Sequence, residues 1–467
     1  MVGRLMAARM ALMVALASLA ACAGGLARAR EAGAGIAIVG ATVIPMTEGS
    51  TALADRTVLV RGGRIIAVGK RGSVKVPAGA RVIDGSGRYL IPGLADAHVH
   101  LEYIEDPNVL KLFVANGVTS VRSMDGRPYI LDWRRQVAAG ALVGPRIVTA
   151  GPIIDGSPPA RDDNLAAADA AAARAAVAAQ AGAGYDFIKL YTNLSADAYG
   201  GAVDEARQRG LKVAGHVPKA VPLETAIASQ WSIEHLGDFA SAVAAPGGPP
   251  TPGWARRSLA APLDQGRADA LARQLALARV WVVPTTIQQD RWLGAAAELD
   301  KWAAEPAIRA LPPAVLERWR GMNARMAGRM DADDWAMLAR ARDHRLALLA
   351  ALHRAGVQLA VGTDTPNPFV AMGASVHQEL ANFVAAGLTP HQALKAATIA
   401  PARMMGLEHE QGTIEPGKRA DLLLLAHNPL EDIRHTSDRI GLLLGGRWFS
   451  ESELKLLPQD MARSPAP

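Results

Sequence analysis

Tyr185-Asp186-Phe187-Ile188-Lys189-Leu190-Tyr191 is the stretch on which the fold turns. It reads as a short apolar β-strand with one lysine inside it. A lysine buried in such a strand is costly unless something neutralises it or uses it. Most basic residues of this chain are arginine, which sets Lys189 apart. Upstream of it lies His98-Val99-His100. Downstream lie the isolated His216 and His235, and then Asp364 in Val361-Gly362-Thr363-Asp364. Two close histidines, a lysine, two spaced histidines and an aspartate can together cage two metal ions, which makes hydrolysis the leading chemistry.

Around Lys189 the chain alternates short apolar strands with helical stretches. Strand ends are expected at Ala97, Met124, Gly151, Tyr191, Val217, Leu236, Thr286 and Asp364. Alanine-rich Asp163 to Gln180 and amphipathic Leu223 to Gln230 read as helices between them. Eight such units predict an α/β fold, a (β/α)8 TIM barrel over residues 91–410. In that architecture catalytic groups sit at the C-terminal ends of the strands, where His98, His100, Lys189, His216, His235 and Asp364 all fall. Two connections are long, Leu236 to Trp281 and Thr286 to Gln358, with their helical insertions over 237–280 and 287–357. They carry Trp254, Trp281, Trp292, Trp302, Trp319 and Trp335, most of which read as helix-packing core rather than as a lid over the site. Pro-Gly-rich Ala245 to Gly253 reads as a loop.

Both ends of the chain have a different flavour. Thr57-Val58-Leu59-Val60, a turn at Arg61-Gly62-Gly63-Arg64, and Ile65-Ile66-Ala67-Val68 predict a hairpin. Leu422 to Leu425 and Ile440 to Leu444 repeat the pattern. Residues 35–90 and 411–450 are therefore expected to join in one small β-sandwich domain. Residues 1–22 read as a lipoprotein signal peptide. Arg4 and Arg9 precede the apolar stretch Met10 to Leu19, and Leu19-Ala20-Ala21-Cys22 resembles a lipobox. Cys22 is the only cysteine, so no internal disulfide can form. The expectation is an exported protein on the periplasmic side, tethered to the membrane by lipid at Cys22.

Half of the 467 residues are apolar and 20% are charged, a globular composition. Removing residues 1–22 deletes two arginines and lowers the net charge from +6 to +4. No basic stripe with interleaved aromatics occurs, which argues against nucleic-acid binding. Self-association into a homo-oligomer is left open.

His98 and His100 lie two apart at a strand end, so their side chains point the same way. Neutral imidazole is a ligand for zinc and similar cations. A protonated Lys189 would repel metal. A buried lysine has a lowered pKa, and its neutral amine can add carbon dioxide to give a carbamate long enough to bridge two cations. Tyr191, two residues on, shares the face of Lys189 and is a candidate to touch substrate. His377, at the start of a helix after the last strand, is a second candidate. Arg161, beside Asp162 and Asp163, is a candidate partner for a substrate carboxylate, although a solvated face fits it better.

Several stretches carry a family resemblance: Pro92-Gly93-Leu94-Ala95-Asp96-Ala97-His98-Val99-His100-Leu101, Phe187-Ile188-Lys189-Leu190-Tyr191, Ala214-Gly215-His216, Ile233-Glu234-His235 and Gly362-Thr363-Asp364. The tail Gly412-Thr413-Ile414-Glu415-Pro416-Gly417-Lys418-Arg419-Ala420-Asp421-Leu422 matches too. The chain resembles the amidohydrolase superfamily, in its imidazolonepropionase-like and Xaa-Pro dipeptidase-like branch. One departure is local, since relatives often carry an acid where Ser123 follows Arg122.

The resemblance implies two divalent metal ions, zinc first among the candidates. His98, His100 and Asp364 would bind one and His216 and His235 the other, with carboxylated Lys189 and a hydroxide bridging them. Asp364 would be the catalytic residue that accepts the hydroxide proton and delivers it to the leaving amine. The implied substrate is a small-molecule amide or dipeptide, with Xaa-Pro dipeptides or N-acyl amino acids placed first. Hydrolysis of a cyclic amide or a lactone is the alternative on the same fold. A deaminase fits less well, because mononuclear deaminase sites lack the bridging lysine. A metal-free scaffold fits least, because all six ligand positions are present.

Overall fold

The computed structural model describes residues 35–246, 259–292 and 294–459. The expected leader, Cys22, Trp254 and most of the Ala245 to Gly253 loop lie outside the described residues.

The middle of the chain contains eight parallel strands in sequence order: Leu94–Val99, Val118–Ser123, Arg146–Thr149, Phe187–Leu190, Lys212–Gly215, Ser232–Glu234, Trp281–Val283 and Gln358–Leu359. The first three form one sheet. The other five form a second sheet, to which the short pair Ile154–Asp155 and Leu165–Ala166 is added. Parallel bridges join the two sheets at both edges, Ala150 to Phe187 and Val99 to Thr365. Backbone hydrogen bonds reinforce them: Asp186 N donates to Thr149 O at 2.9 Å, Asp364 N to His98 O at 2.8 Å and His100 N to Thr365 O at 2.7 Å. Strand Leu94–Val99 is buried at every position, and so are Val118–Ser123 and Phe187–Leu190. Burial extends to the polar Asp96, His98 and Arg122, so these strands are not split into an apolar and a solvated face.

The last strand is shorter than its apolar pattern suggests. Its ladder ends at Leu359, not at Asp364. The chain then runs close beside the first strand, where a Cβ on Gly362 would lie 2.8 Å from that of His98. At Asp364 the backbone turns left-handed, with φ 60°. The helix expected from Asp163 instead spans Ala170–Ala183, capped by the Asp169 side chain accepting from Ala172 N. The residues before it are drawn off to pair Leu165–Ala166 with Ile154–Asp155.

Both chain ends meet in one eight-stranded sheet. The expected hairpin is present as Leu53–Arg61 and Arg64–Lys70. The two ends join where Leu422–Leu425 runs antiparallel to Tyr89–Pro92. Ile38, Val58, Ile65, Leu90, Leu424 and Leu443 share one apolar cluster there. The long connection after Val283 folds into helices, the largest being Pro313–Ala327 and Ala332–Arg354. Trp302 and Trp319 pack on Phe369 with ring centres 5.5 and 5.7 Å away, so the core reading suits these two tryptophans.

Candidate metal centre

The C-terminal strand ends bring the histidines into one row of rings. His98 lies 5.5 Å from His100 and 4.7 Å from His235, and His235 lies 4.8 Å from His216. Asp364 faces three of them. Its Oδ1 is 3.4 Å from His98 Nε2 and 3.2 Å from His100 Nε2, and its Oδ2 is 3.9 Å from His235 Nδ1. One ligand atom each from His98, His100 and Asp364 falls within 4.8 Å of the others. Tyr191 stands edge-on to His216, ring centres 4.5 Å apart.

The backbone pays for this convergence in conformational strain. His235, Thr285 and Asp364 all have φ between 48° and 67°, a left-handed region that side chains avoid and β-branched threonine avoids most. Such strain persists only where surrounding structure fixes it, and it gathers at functional sites. Here a buried Asp96 does part of the fixing. It accepts from Thr363 Oγ1 at 2.7 Å and Thr363 N at 3.0 Å, locking the approach to Asp364 onto the first strand.

Each imidazole is also held from behind. Glu234 Oε2 lies 2.7 Å from His98 Nδ1, Glu102 Oε1 2.6 Å from His100 Nδ1, and Thr285 Oγ1 2.6 Å from His235 Nδ1. Asp238 lies 3.2 Å from His216 Nδ1. A partner at Nδ1 fixes the ring and leaves Nε2 with its lone pair, the arrangement found around metal-ligating histidines. Glu234 is itself gripped by Arg122, which donates from Nη2 to Glu234 Oε1 at 2.6 Å, from Nη1 to Ser232 Oγ at 2.9 Å and from Nε to Ala97 O at 2.6 Å. The guanidinium lies over the Phe187 and Trp231 rings.

Electrostatics follow from this packing. Burial alone would raise the Asp364 carboxyl, but His98, His100 and His235 hold it well below the usual carboxylate range. Burial lowers His98 and His235, so both favour the neutral, ligating form. His100 is pushed up to about 10, since Glu102 and Asp364 on either side outweigh burial. A cation at its Nε2 would take the place of that proton. Burial also lowers Lys189, against the pull of Glu234 and Asp364. Lys189 is 1% exposed.

Lys189 Nζ and His98 Nε2 are buried without a hydrogen-bond partner. Buried polar atoms almost always find one, so orphaned donors and acceptors among four histidines and a carboxylate fit a metal centre. His98, His100 and Asp364 could hold one cation, and His216 and His235 a second beside Lys189.

His377 belongs elsewhere, which corrects its place as a substrate candidate. Its Nδ1 meets Thr436 Oγ1 at 2.9 Å, and its Nε2 is 3.2 Å from Asn116 O. Asn116 precedes strand Val118–Ser123, so His377 lies toward the opposite end of the strands from the imidazole row. Burial and Arg439 depress it to about 3. Arg161, expected on a solvated face, instead bonds the Tyr103 hydroxyl and Asp163, and Tyr103 lies against His100. A cavity of about 1760 Å3 also lies at the far end, lined by Arg146, Lys212, Trp231, Trp281 and Gln358 at the starts of the strands. It is remote from the histidines by topology.

Residues 89–448 match the family model described as the amidohydrolase family. A bottromycin amidohydrolase structure is 26% identical, with a TM-score of 0.71, over 93% of this chain and 91% of that one. A Xaa-Pro dipeptidase with methionine bound in its active site is 19% identical, TM-score 0.63, over 89% of this chain and 100% of that one. The 5-methylthioadenosine/S-adenosylhomocysteine deaminase of Symbiobacterium thermophilum is 26% identical over 417 residues, 84% of this chain and 85% of that protein.

Proposed function

As the chain belongs to the amidohydrolase family, a family of carbon–nitrogen hydrolases, we propose that it is a binuclear metal hydrolase of amide or peptide bonds in small molecules, with Xaa-Pro dipeptides or N-acyl amino acids as substrates. The observation that carries this reading is Lys189, fully buried, with no partner for its amine at the floor of the imidazole row. Burial lowers its pKa, which favours the neutral amine. Addition of carbon dioxide forms an N–C bond and releases one proton, leaving an anionic carbamate. That anion offers two oxygens to two cations, which the ammonium could not.

In this reading His98, His100 and Asp364 would hold one divalent ion, and His216 and His235 the other. Zinc suits the nitrogen-rich donor set, and manganese or cobalt could share it. Bound there, the ions supply Lewis-acid polarisation of the scissile carbonyl and lower the pKa of a water. Asp364, kept ionised by the three imidazoles, would accept the proton of the attacking water and pass it to the leaving nitrogen. Glu234 and Glu102 keep His98 and His100 in the Nδ1–H tautomer. Tyr191 borders the substrate side of His216. Arg161, beside Tyr103 and paired with Asp163, would attract the carboxylate of a dipeptide or an N-acyl amino acid.

Edge-to-edge bridging of the two parallel sheets supports a closed (β/α)8 barrel over 91–410. The shared apolar cluster of the end strands supports a sandwich over 35–90 and 411–450, as the sheet folds back on itself. Export and lipid tethering at Cys22 complete the proposal. Palmitate labelling lost on Cys22→Ser would support the tether, and equal labelling of both would refute it.

Metal analysis of purified protein, after exchangeable surface metal is removed by a mild chelator, should give about two ions per chain. Lys189→Ala should lose metal and turnover together, and wild-type turnover in that variant would end the carbamate reading. A deaminase is the second reading, favoured by the likeness to the Symbiobacterium enzyme over 417 residues. Ammonia release from an aminopurine nucleoside, with no cleavage of any dipeptide, cyclic amide or lactone in a substrate screen, would decide for it.

A further inference from the structure

The connection between strands Leu422–Leu425 and Arg439–Leu444 carries a second set of two imidazoles and a carboxylate. We infer that His427, His435 and Asp438 form a surface site for one transition-metal dication of the zinc class, separate from the strand-end histidines and independent of the proposed reaction. One ligand atom from each lies within 4.8 Å of the other two. The two rings have centroids 5.2 Å apart, tilted by 45°. His435 donates from Nδ1 to the Asn428 carbonyl at 2.9 Å. That bond fixes its tautomer and leaves the Nε2 lone pair for a cation, as in established zinc sites. His427 Nδ1 and Asp438 Oδ2 lie 2.8 Å apart, a pair that shares a proton in the absence of metal.

The backbone pre-positions these ligands. Asp438 N donates to His435 O at 3.0 Å and Ala426 N to Asp438 O at 2.8 Å, closing both ends of the connection. Asp432 caps the short helix Ile433–Ser437 through Arg434 N. Asp432 also takes up the charge of Arg434, the nearest cation along the helix, at 2.5 Å. An ion arriving here therefore orders little that is not already ordered. Two nitrogens and one carboxylate oxygen select zinc, nickel or copper over calcium or magnesium, which want oxygen cages. His427 is 62% exposed and Asp438 38%. The ion would exchange with solvent, so occupancy would follow the zinc level outside the protein.

An ion at this position ties the two ends of the connection together, through His427 and Asp438. The helix between them touches helix Ser375–Ala385 through Thr436 Oγ1 and His377 Nδ1. Zinc would thus clasp the end-strand sheet to the helix that follows the last parallel strand, and stabilise the protein by mass action.

The test uses full-length protein carrying its resident ions. Wild type and the double variant His427→Ala with His435→Ala are dialysed against limiting zinc, and metal is counted by emission spectroscopy. Wild type should hold one zinc more per chain, and added zinc should raise its thermal midpoint but not that of the variant, with turnover the same in both. Equal zinc content in the two proteins overturns the site. Asp438→Asn gives a second route if the double variant folds poorly. It should weaken the extra zinc by about tenfold or more, and unchanged zinc affinity in that variant also overturns the site.

Discussion

Among the described residues, two groups of two histidines and an aspartate occur, and they differ in what surrounds them. His98, His100 and Asp364 are buried, and glutamates hold both imidazoles from behind. His427, His435 and Asp438 are exposed or half-buried, and a backbone carbonyl and their own aspartate hold them. Identical side chains thus have different stakes. In the buried group every unmet polar atom costs desolvation energy, so its members are mutually dependent. In the exposed group water replaces any lost partner. Changes at the first group should therefore be severe and coupled, and those at the second mild and conditional on metal.

The largest effect is expected at Asp364. Asp364→Asn keeps the shape but removes the proton acceptor, and turnover should fall by about 10²–10⁴. Steady-state kinetics with metal content measured in the same sample checks this. A variant that keeps its ions and its rate would remove Asp364 from the chemistry and make the buried group a metal holder only.

Next comes Glu234. Glu234→Gln leaves Arg122 fully buried without its counter-charge, and breaking a buried pair costs about 3–5 kcal/mol. Loss of the partner to a ligating histidine should also weaken metal binding by about 10–100-fold. Denaturant unfolding of metal-free protein isolates the first effect, and chelator competition the second. Ser232→Ala removes one bond accepted from Arg122 and one donated to Glu234 at 2.6 Å but leaves the two opposite charges paired, and should cost less, about 1.5–3 kcal/mol. If the two variants were equally stable, the Arg122–Glu234 pair would not organise the floor of the site.

The difference between these residues also explains what could be read from the chain alone. The strand ends and the six ligand candidates were legible because strand alternation and their spacing place them on one rim. The residues behind them were not. Glu234 stands inside Ile233-Glu234-His235, yet nothing local says that its carboxylate turns inward to a histidine 136 positions away. Arg122 sits in an all-buried strand, where a charged residue argues for a buried counter-ion, but pattern alone cannot name it. Ser123 accordingly does not leave that strand without a role, because the guanidinium beside it is fixed by Glu234 rather than by an acid next in sequence. His377 misled because its polar neighbours, Asn116 and Thr436, come from distant segments. The helix before Lys189 began late because the Leu165–Ala166 pairing, a tertiary contact, competed with alanine propensity.

Burial without imidazoles has the opposite sign, and Glu379 shows it. Burial raises its carboxyl to about 7, although Thr286 Oγ1, Thr286 N and Ile287 N all donate to it. Asp364, equally buried, is held low by its histidines. A folded pKa above the unfolded value means that the native state binds the extra proton. This contribution to stability is therefore lost as pH rises from about 4.5 to 7. The shift corresponds to at most about 3 kcal/mol. Asp96 and Asp125, also raised to about 7, add slope of the same sign. Glu379→Gln should reduce the fall in stability across this window, read from urea midpoints at pH 5 and pH 7. An unchanged pH slope would mean that Glu379 stays ionised, paired by its three donors.

The smallest effect is expected at the exposed group, and its smallness carries information. His427→Ala deletes a side chain that is 62% exposed and bonded only to an aspartate that water can solvate. In chelator-treated buffer its stability should stay within about 0.5 kcal/mol of wild type. With zinc present the same substitution should lower the thermal midpoint relative to wild type, because mass action then favours only the protein that binds. A packing role for His427 would predict equal losses in both buffers. The comparison of the two buffers therefore separates a clasp made by an ion from one made by the imidazole itself, which no measurement at Asp364 can do, since there the ions, the charges and the packing fail together.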